Sequence, residues 1–230
     1  MNNLILSSTT FGVVISFLGF MIGMALKKRF KIAIFNPLLI AILLVIAVLK
    51  LFRIDYSSYN ASAKYLSYLL TPATVCLAIP LYTQLEKLRQ NLLAILCALA
   101  VGVLTSLVSV LALSALFRLS HQEYVTLLPK SVTSAIGMGV SEELGGYSSI
   151  TVAVIILSGI FGNVSGDLVC RLFRITEPIA KGLGMGAASH AIGTARAMEW
   201  GELEGAMSSL AIVVSGLLTV VGASVFANFL

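Results

Sequence analysis

Charged side chains are scarce in this sequence. Of its 230 residues, 11% are charged and 58% are hydrophobic, and the mean hydropathy is +1.01. A soluble globular domain has about 25% charged residues, so this chain has too few to cover a water-facing surface. A spanning helix needs about 20 apolar residues, which leaves room for about six to eight membrane elements. The composition predicts an all-α polytopic membrane protein with one membrane domain over residues 1–230.

Cysteine is also rare, and the three that are present form no paired or metal-type pattern. Cys76, Cys97 and Cys170 lie inside separate apolar stretches, where a thiol usually serves as a small packing residue. The sequence has no Walker motif, dinucleotide fingerprint or nucleophile–base pair, which argues against an enzyme. Met1–Ser8 lacks a basic region and a cleavage site, so we expect the first helix to be retained.

Long apolar runs alternate with shorter segments that glycine, proline or polar residues interrupt. The long apolar runs, which predict spanning helices, are Phe11–Leu26, Ile32–Leu51, Asn91–Phe117, Ile150–Cys170 and Ala206–Leu230, and Asn36-Pro37 interrupts the second of them near its start. The interrupted segments are Tyr65–Tyr82, Leu127–Gly146 and Gly182–Met198, and a polar loop is expected at Arg53–Lys64. Non-helical backbone at membrane depth occurs only where protein or water surrounds it, and such breaks are typical of transporter binding sites.

The three interrupted segments share a short motif. Ala78-Ile79-Pro80, Ala135-Ile136-Gly137 and Ala191-Ile192-Gly193 recur at spacings of 57 and 56 residues. An apolar helix follows each of them, with a glycine at Gly102, Gly159 and Gly216. This pattern favours an internal repeat, although matches among small residues also arise by chance in apolar sequence.

The net charge of +5 comes from basic residues between the apolar runs, as the positive-inside rule predicts. With the Lys27–Lys31 cluster in the cytoplasm, Arg171, Arg174 and Lys181 also lie inside if Leu127–Gly146 enters the membrane and returns. A full crossing of that segment would put them outside. The same reasoning makes Gly182–Met198 a second re-entrant segment. Residues 1–118 would then form N-terminal spans and residues 119–230 an inverted-repeat half that carries the site.

The first candidate site is the glycine-rich stretch Pro129–Gly146. Lys130 supplies a cation, and hydroxyls that can donate to a small anion follow at Ser131, Thr133 and Ser134. Glycines allow the backbone to approach a ligand closely. The alternative interpretation is an interfacial loop whose charges face water.

The second candidate site is Gly182–Gly205. Ser189, His190 and Thr194 lie among small residues, and His190 could couple transport to protons because histidine titrates near neutral pH. Arg196 could bind a carboxylate through both of its terminal nitrogens. The alternatives are a structural histidine bound to a neighbouring helix, and an arginine paired with Glu142, Glu143 or Glu199.

Two weaker candidates complete the set. Asn163 and Asp167 lie one helical turn apart and share a face, although Asp167 could equally be a solvated helix end. Thr74 lies between Pro72 and Pro80, where a kinked helix would free backbone carbonyls, although prolines also kink helices that bind nothing.

These motifs resemble the LrgB/CidB family of bacterial membrane proteins. The resemblance covers nearly the whole chain and is carried by Asn36-Pro37, YLLTPATVCLAIPLYTQ, LLPKSVTSAIGMGVSEELGG and SHAIGTARAMEWGELEGAMSSLA. It implies a multi-pass protein of the bacterial inner membrane that acts with a small LrgA/CidA-type membrane partner, in a homo- or hetero-oligomer. It implies no metal and no organic cofactor.

The resemblance implies two functions. One is carriage of a small carboxylate such as pyruvate, glycolate or glycerate; the other is holin- or antiholin-like regulation of murein hydrolase export and cell lysis. Broken helices with Lys130, His190 and Arg196 favour the carrier, because a pore does not need ionisable residues gathered at one site. In that interpretation Lys130 and Arg196 hold the anion, nearby hydroxyls orient it, and His190 senses protonation.

Overall fold

The computed structural model describes residues 10–30, 35–69, 72, 75–76 and 78–230, and in them all regular structure is helical. The chain divides into two compact units, Met1–Cys76 and Leu77–Leu230. The first unit contains α1 Phe11–Phe30, α2 Pro37–Leu51 and α3 Tyr56–Ser67. The second contains α4 Ala78–Thr83, α5 Leu85–Gln90, α6 Leu92–Phe117, α7 His121–Leu127, α8 Ser134–Glu143, α9 Ser148–Leu172, α10 Pro178–Trp200, α11 Glu202–Phe226 and a final 3₁₀ turn, Ala227–Phe229.

Within the part of the chain that the structure describes, four helical stretches are long and apolar enough to cross a membrane. They are Phe11–Phe30, Leu92–Phe117, Ser148–Leu172 and Glu202–Phe229, and the 15-residue helix α2 is a shorter apolar element. The predicted fold class, a polytopic α-helical membrane protein, is therefore confirmed.

Helix α2 begins at the residues where the sequence suggested an interruption. The side chain of Asn36 accepts hydrogen bonds from the backbone N–H groups of Leu38 (2.9 Å) and Leu39 (3.3 Å). Pro37 follows as the first helical residue, where its missing N–H costs nothing. Asn36-Pro37 is thus the helix start and not a break within a span.

The predicted polar loop at Arg53–Lys64 is wrong, because most of it forms helix α3. Asp55 caps this helix by accepting from the Ser57 backbone N–H at 3.0 Å, and hydrogen bonds from Ser57 lower the pKa of the Asp55 carboxyl. The polar residues that suggested a loop bind α1 instead. Ser62 Oγ accepts from the Gly12 N–H at 2.7 Å, and the Ser16 and Tyr59 hydroxyls lie 2.7 Å apart.

The second unit has two helical hairpins between its long helices. The first hairpin comprises α7, a turn at residues 128–133, and α8. Its two arms run antiparallel, because Thr126 and Ser141 meet at Thr151 while Pro129, further along the chain, lies against the earlier residue Gly137. Thr151 Oγ1 donates to the Thr126 carbonyl at 2.9 Å and lies 2.7 Å from Ser141 Oγ.

The second hairpin is α10, which breaks at His190 (φ 42°, ψ −136°). A methyl group built on Gly193 would lie 2.6 Å from the Met185 carbonyl oxygen. Those residues are eight positions apart, which is about 12 Å along a straight helix, so the chain folds back at His190. We call Pro178–Ser189 its first arm and Ala191–Trp200 its second arm.

The two hairpins lie at opposite ends of α11. Gly182 of the second hairpin packs on Glu204, near the start of α11, and Gly186 packs on Ser208. In the first hairpin, Tyr124 donates to the Phe226 carbonyl at the far end of α11 (2.8 Å). Ile136, beside the turn of the first hairpin, contacts Gly216. Both turns therefore lie near the middle of the bundle, approached from its two ends.

Candidate functional site

A cavity of about 840 Å³ lies between α6, the turn of the first hairpin and the first arm of the second hairpin. Asn91 and Glu177 line its outer end, whereas Ser109, Lys130 and Ser131 line its inner part. The stretch of α6 from Asn91 to Ser109 covers about 27 Å at 1.5 Å per residue, so the cavity extends from one end of the bundle past its middle. Its volume is in the range typical of small-molecule sites.

The inner part of the cavity holds a row of hydrogen-bonding groups, two hydroxyls and the ammonium group of Lys130. Lys130 Nζ donates to Ser131 Oγ at 2.9 Å, and Ser131 Oγ lies 3.2 Å from Ser106 Oγ on α6. Glu177 is the only acidic residue among the described residues that line the cavity, and it lies at the outer end. The ammonium group of Lys130 is therefore available to an anion that enters the cavity.

The turn of the first hairpin positions these groups. Pro129 and Lys130 follow the end of α7, and Thr133 is the N-cap of α8 without a side-chain capping bond. Because the first N–H groups of a helix have no partner within it, the start of α8 adds a partial positive charge close to Lys130. Thr133 and Ser134 are half-buried here and follow the cavity residues directly in the chain.

The predicted residues of the second hairpin cluster around its turn and not around Lys130. His190 Nε2 lies 3.0 Å from the Ile155 carbonyl oxygen, and since a carbonyl only accepts, this nitrogen carries the proton. Asn163 Nδ2 donates to the Ile192 carbonyl at 2.8 Å. Thr194 Oγ1 lies 2.7 Å from Ser208 Oγ, whereas the buried Ser189 Oγ has no hydrogen-bond partner among the described residues.

Arg196 also lies away from the cavity. Its two terminal nitrogens bind the carboxylates of Asp167 and Glu199. The sequence offered Glu199 as one alternative to a substrate, and the structure adds Asp167, whose own role the sequence left open. Glu142 and Glu143, the other suggested partners, are exposed. Thr74 lies outside the described residues.

Sequence reasoning missed the hydroxyl groups of α6. Thr105, Ser106 and Ser109 line the cavity from the middle of this long apolar helix. The available signal was their spacing, since residues three and four apart share a helix face. Glu177 at the outer end was missed as well, because the sequence alone does not show that the start of α10 meets the start of α6.

Long apolar helices and two hairpins with a cation between them define a polytopic α-helical membrane protein with an internal polar site. A family model described as the LrgB-like family matches residues 16–229. The chain therefore belongs to the LrgB-like family, as its motifs suggested.

Curated relatives match over almost their whole length. Proteins described as "Antiholin-like protein LrgB" from Bacillus mycoides (strain KBAB4), Bacillus cereus (strain B4264) and Bacillus anthracis (strain CDC 684 / NRRL 3495) are each 38% identical over 221 residues. The matched region covers 96% of this chain and 96% of each relative. No solved structure gives a significant match.

Proposed function

We propose that this protein is a secondary transporter of a small monocarboxylate or hydroxycarboxylate, similar to pyruvate, glycolate or glycerate. The observation that carries the proposal is the chain Lys130–Ser131–Ser106 in the inner part of the cavity. A cation at membrane depth is costly unless it is paired, and among the described residues Lys130 has only a hydroxyl partner. A substrate carboxylate would pair with the ammonium group and accept hydrogen bonds from the neighbouring hydroxyls.

The arrangement of the hairpins supports a carrier over a simple channel. We take both hairpins to be re-entrant, so that each enters the membrane from one side and turns near its middle. Broken elements that meet at mid-depth from opposite sides are a recurrent way to build a site that opens to each side in turn. The cavity has Glu177 at one end of its lining and the turn of the first hairpin, with Lys130, at the other.

The remaining parts of the proposal follow from family membership and composition. We propose the bacterial inner membrane as the location, a small LrgA/CidA-type protein as the partner, and transport without a catalytic step. Proton coupling through His190 stays a prediction. The ring of His190 binds the Ile155 carbonyl through one nitrogen, and this leaves Nδ1 as the position where a proton could be gained.

Uptake of labelled pyruvate or glycolate into proteoliposomes, with and without the LrgA-type partner, tests the proposal. We expect saturable uptake, and Lys130→Ala should raise KM about tenfold or more because a charge-assisted contact is lost. Lys130→Arg should retain part of the affinity, since it keeps the charge. Lys87→Ala is the matched control, because Lys87 is exposed on α5 and does not line the cavity. An unchanged KM in Lys130→Ala would contradict the assignment of the site.

The second candidate function is regulation of murein hydrolase export, as in a holin or antiholin. It is favoured by the printed description of the relatives, which are named antiholin-like. Proteoliposomes loaded with a large fluorescent dextran separate the two functions. Release of the dextran, together with carboxylate flux that does not saturate, would support the pore; retention of the dextran during saturable uptake would support the carrier.

A further inference from the structure

Asp167 connects two residues of the second hairpin to α9. One carboxylate oxygen binds Arg196 Nη2, and the other accepts from Trp200 Nε1 at 2.8 Å. Arg196 uses its other terminal nitrogen for Glu199. The side chains of Arg196 and Asp167 are 24% and 31% exposed, so the pair is partly shielded from solvent. Both terminal nitrogens of Arg196 are thus engaged within the protein and are not directed into the cavity.

Further polar contacts join the second hairpin to the same face of α9. His190 meets the Ile155 carbonyl, Asn163 meets the Ile192 carbonyl, and Asp167 meets Arg196 and Trp200. Residues 155, 163 and 167 are separated by eight and four positions, which keeps them on one side of a helix. These contacts fasten the turn and the whole second arm of the hairpin to α9.

The first arm of the same hairpin forms a wall of the cavity. Leu183, Gly184 and Ala187 line it opposite α6, where Ala187 is 4.0 Å from a methyl group built on Gly102. The two arms pack closely, since Gly193 of the second arm meets Met185 and Ser189 of the first. A displacement of the second arm would therefore move the cavity wall.

We propose that Asp167 and Trp200 are positioning residues for the transport site. They hold Arg196 on α9, and through Arg196 they hold the second hairpin where its first arm forms a wall of the cavity. The substrate does not touch this cluster, which we call the Asp167 clamp (Asp167, Arg196, Glu199 and Trp200). This inference rests on the proposed transport function and replaces the sequence-based role of Arg196 as an anion ligand with a role in holding the hairpin.

The first test uses uptake kinetics of Asp167→Asn, Arg196→Gln and the double variant. Arg196→Gln leaves the partly buried Asp167 carboxylate without its cation, and Asp167→Asn leaves Arg196 with Glu199 as its acidic partner, whereas the double variant removes both charges of the Asp167–Arg196 pair. We expect each single variant to lower the maximal uptake rate about tenfold, as small misplacements of a site can do, with KM nearly unchanged. The double variant should recover much of the rate. Lys130→Ala provides the contrast, because it should act chiefly on KM.

A rise in KM for Arg196→Gln as large as that for Lys130→Ala would overturn the proposal and identify Arg196 as a substrate ligand. A double variant no better than the worse single variant would also overturn it. If the wild-type protein shows no saturable carboxylate uptake, the proposed function is contradicted. The fluorescence of Trp200 then tests whether the Asp167 clamp holds the second hairpin, independently of transport.

Fluorescence is specific here because Trp200 is the single tryptophan of the chain. We expect Asp167→Asn to shift the Trp200 emission to longer wavelength in the purified, monodisperse protein, since the outer end of the hairpin is released toward solvent. Asp55→Asn is the matched control, because Asp55 is exposed and caps α3 in the other unit. An emission spectrum identical to the wild type in Asp167→Asn would overturn the clamp. Trp200→Phe, which leaves the ion pair intact, should lower the uptake rate less than Asp167→Asn does.

Discussion

Lys130 is the residue on which the proposed binding site depends, and its surroundings explain how a lysine can lie there. Its ammonium group donates to Ser131, and Ser106 extends the chain of hydroxyls onto α6. Hydroxyls can donate as well as accept, so the same groups can solvate the cation in the empty site and then bind a carboxylate. A carboxylate side chain in the place of Ser106 or Ser131 would instead neutralise the site permanently.

Gly186 shows how closely the second hairpin packs. A methyl group built on it would lie 2.2 Å from the Ser208 carbonyl oxygen, and backbone cannot move aside as a side chain can. We expect Gly186→Ala to destabilise the protein by about 1–3 kcal/mol through overpacking, which would lower the thermal midpoint of the detergent-solubilised protein.

Gly184→Ala is the control for this prediction, because the two glycines lie on the same arm and no atom of the described residues is within 4 Å of a methyl group at Gly184. Alanine is the better helix former, so Gly184→Ala should leave stability unchanged or raise it slightly. Equal thermal midpoints for the two variants would contradict the packing of the first arm on α11.

At the scale of elements, each hairpin turn lies opposite a glycine of a long helix. Gly159 of α9 lies against the ring of His190, and Gly216 of α11 lies against Ile136. These are two of the three glycines that follow the repeated Ala-Ile motif in the sequence. The motif itself begins α4, lies in the first turn of α8 and begins the second arm of α10. Small residues at these positions let broken backbone approach the long helices closely.

The membrane orientation of the hairpins is open to a direct test by cysteine labelling. In a variant without the native cysteines, we expect Glu143→Cys to react with an impermeant maleimide only from outside the cell. Gly201→Cys should react only from inside. The reason is that the two positions close hairpins that enter the bundle from opposite ends. Labelling of both positions from the same side would show that one hairpin crosses the membrane completely.

Sequence periodicity predicts the long helices well and the contacts between helices poorly. The span expected at Asn91–Phe117 is found as Leu92–Phe117, because a long apolar run has few ways to satisfy its backbone in a membrane. Arg53–Lys64 was mistaken for a loop because its polar residues bind α1, and that partner is not visible in local sequence. For the same reason Lys130 could be singled out from its own segment, whereas Ser106 could be joined to it only through the fold.

At the scale of the whole molecule, three elements of the second unit enclose one cavity. The long helix α6 supplies one wall, and the two hairpins supply the others from opposite ends of the bundle. In the proposed transport function, access to the cavity would change when a hairpin or bundle moves relative to its neighbours. Because α9 binds the second hairpin along its length, we expect the two to move together and the contact with α6 to change.

The central claim, that the cavity beside Lys130 holds a small carboxylate, is tested most directly by substrate protection of a cysteine placed in its wall. Thr105→Cys, in the variant without native cysteines, puts a thiol in the inner part of the cavity. We predict that pyruvate slows its labelling by a small maleimide in a saturable way, that uncharged lactamide does not, and that adding Lys130→Ala removes the protection. Labelling that pyruvate leaves unchanged, in protein that still takes up pyruvate saturably, would contradict the account.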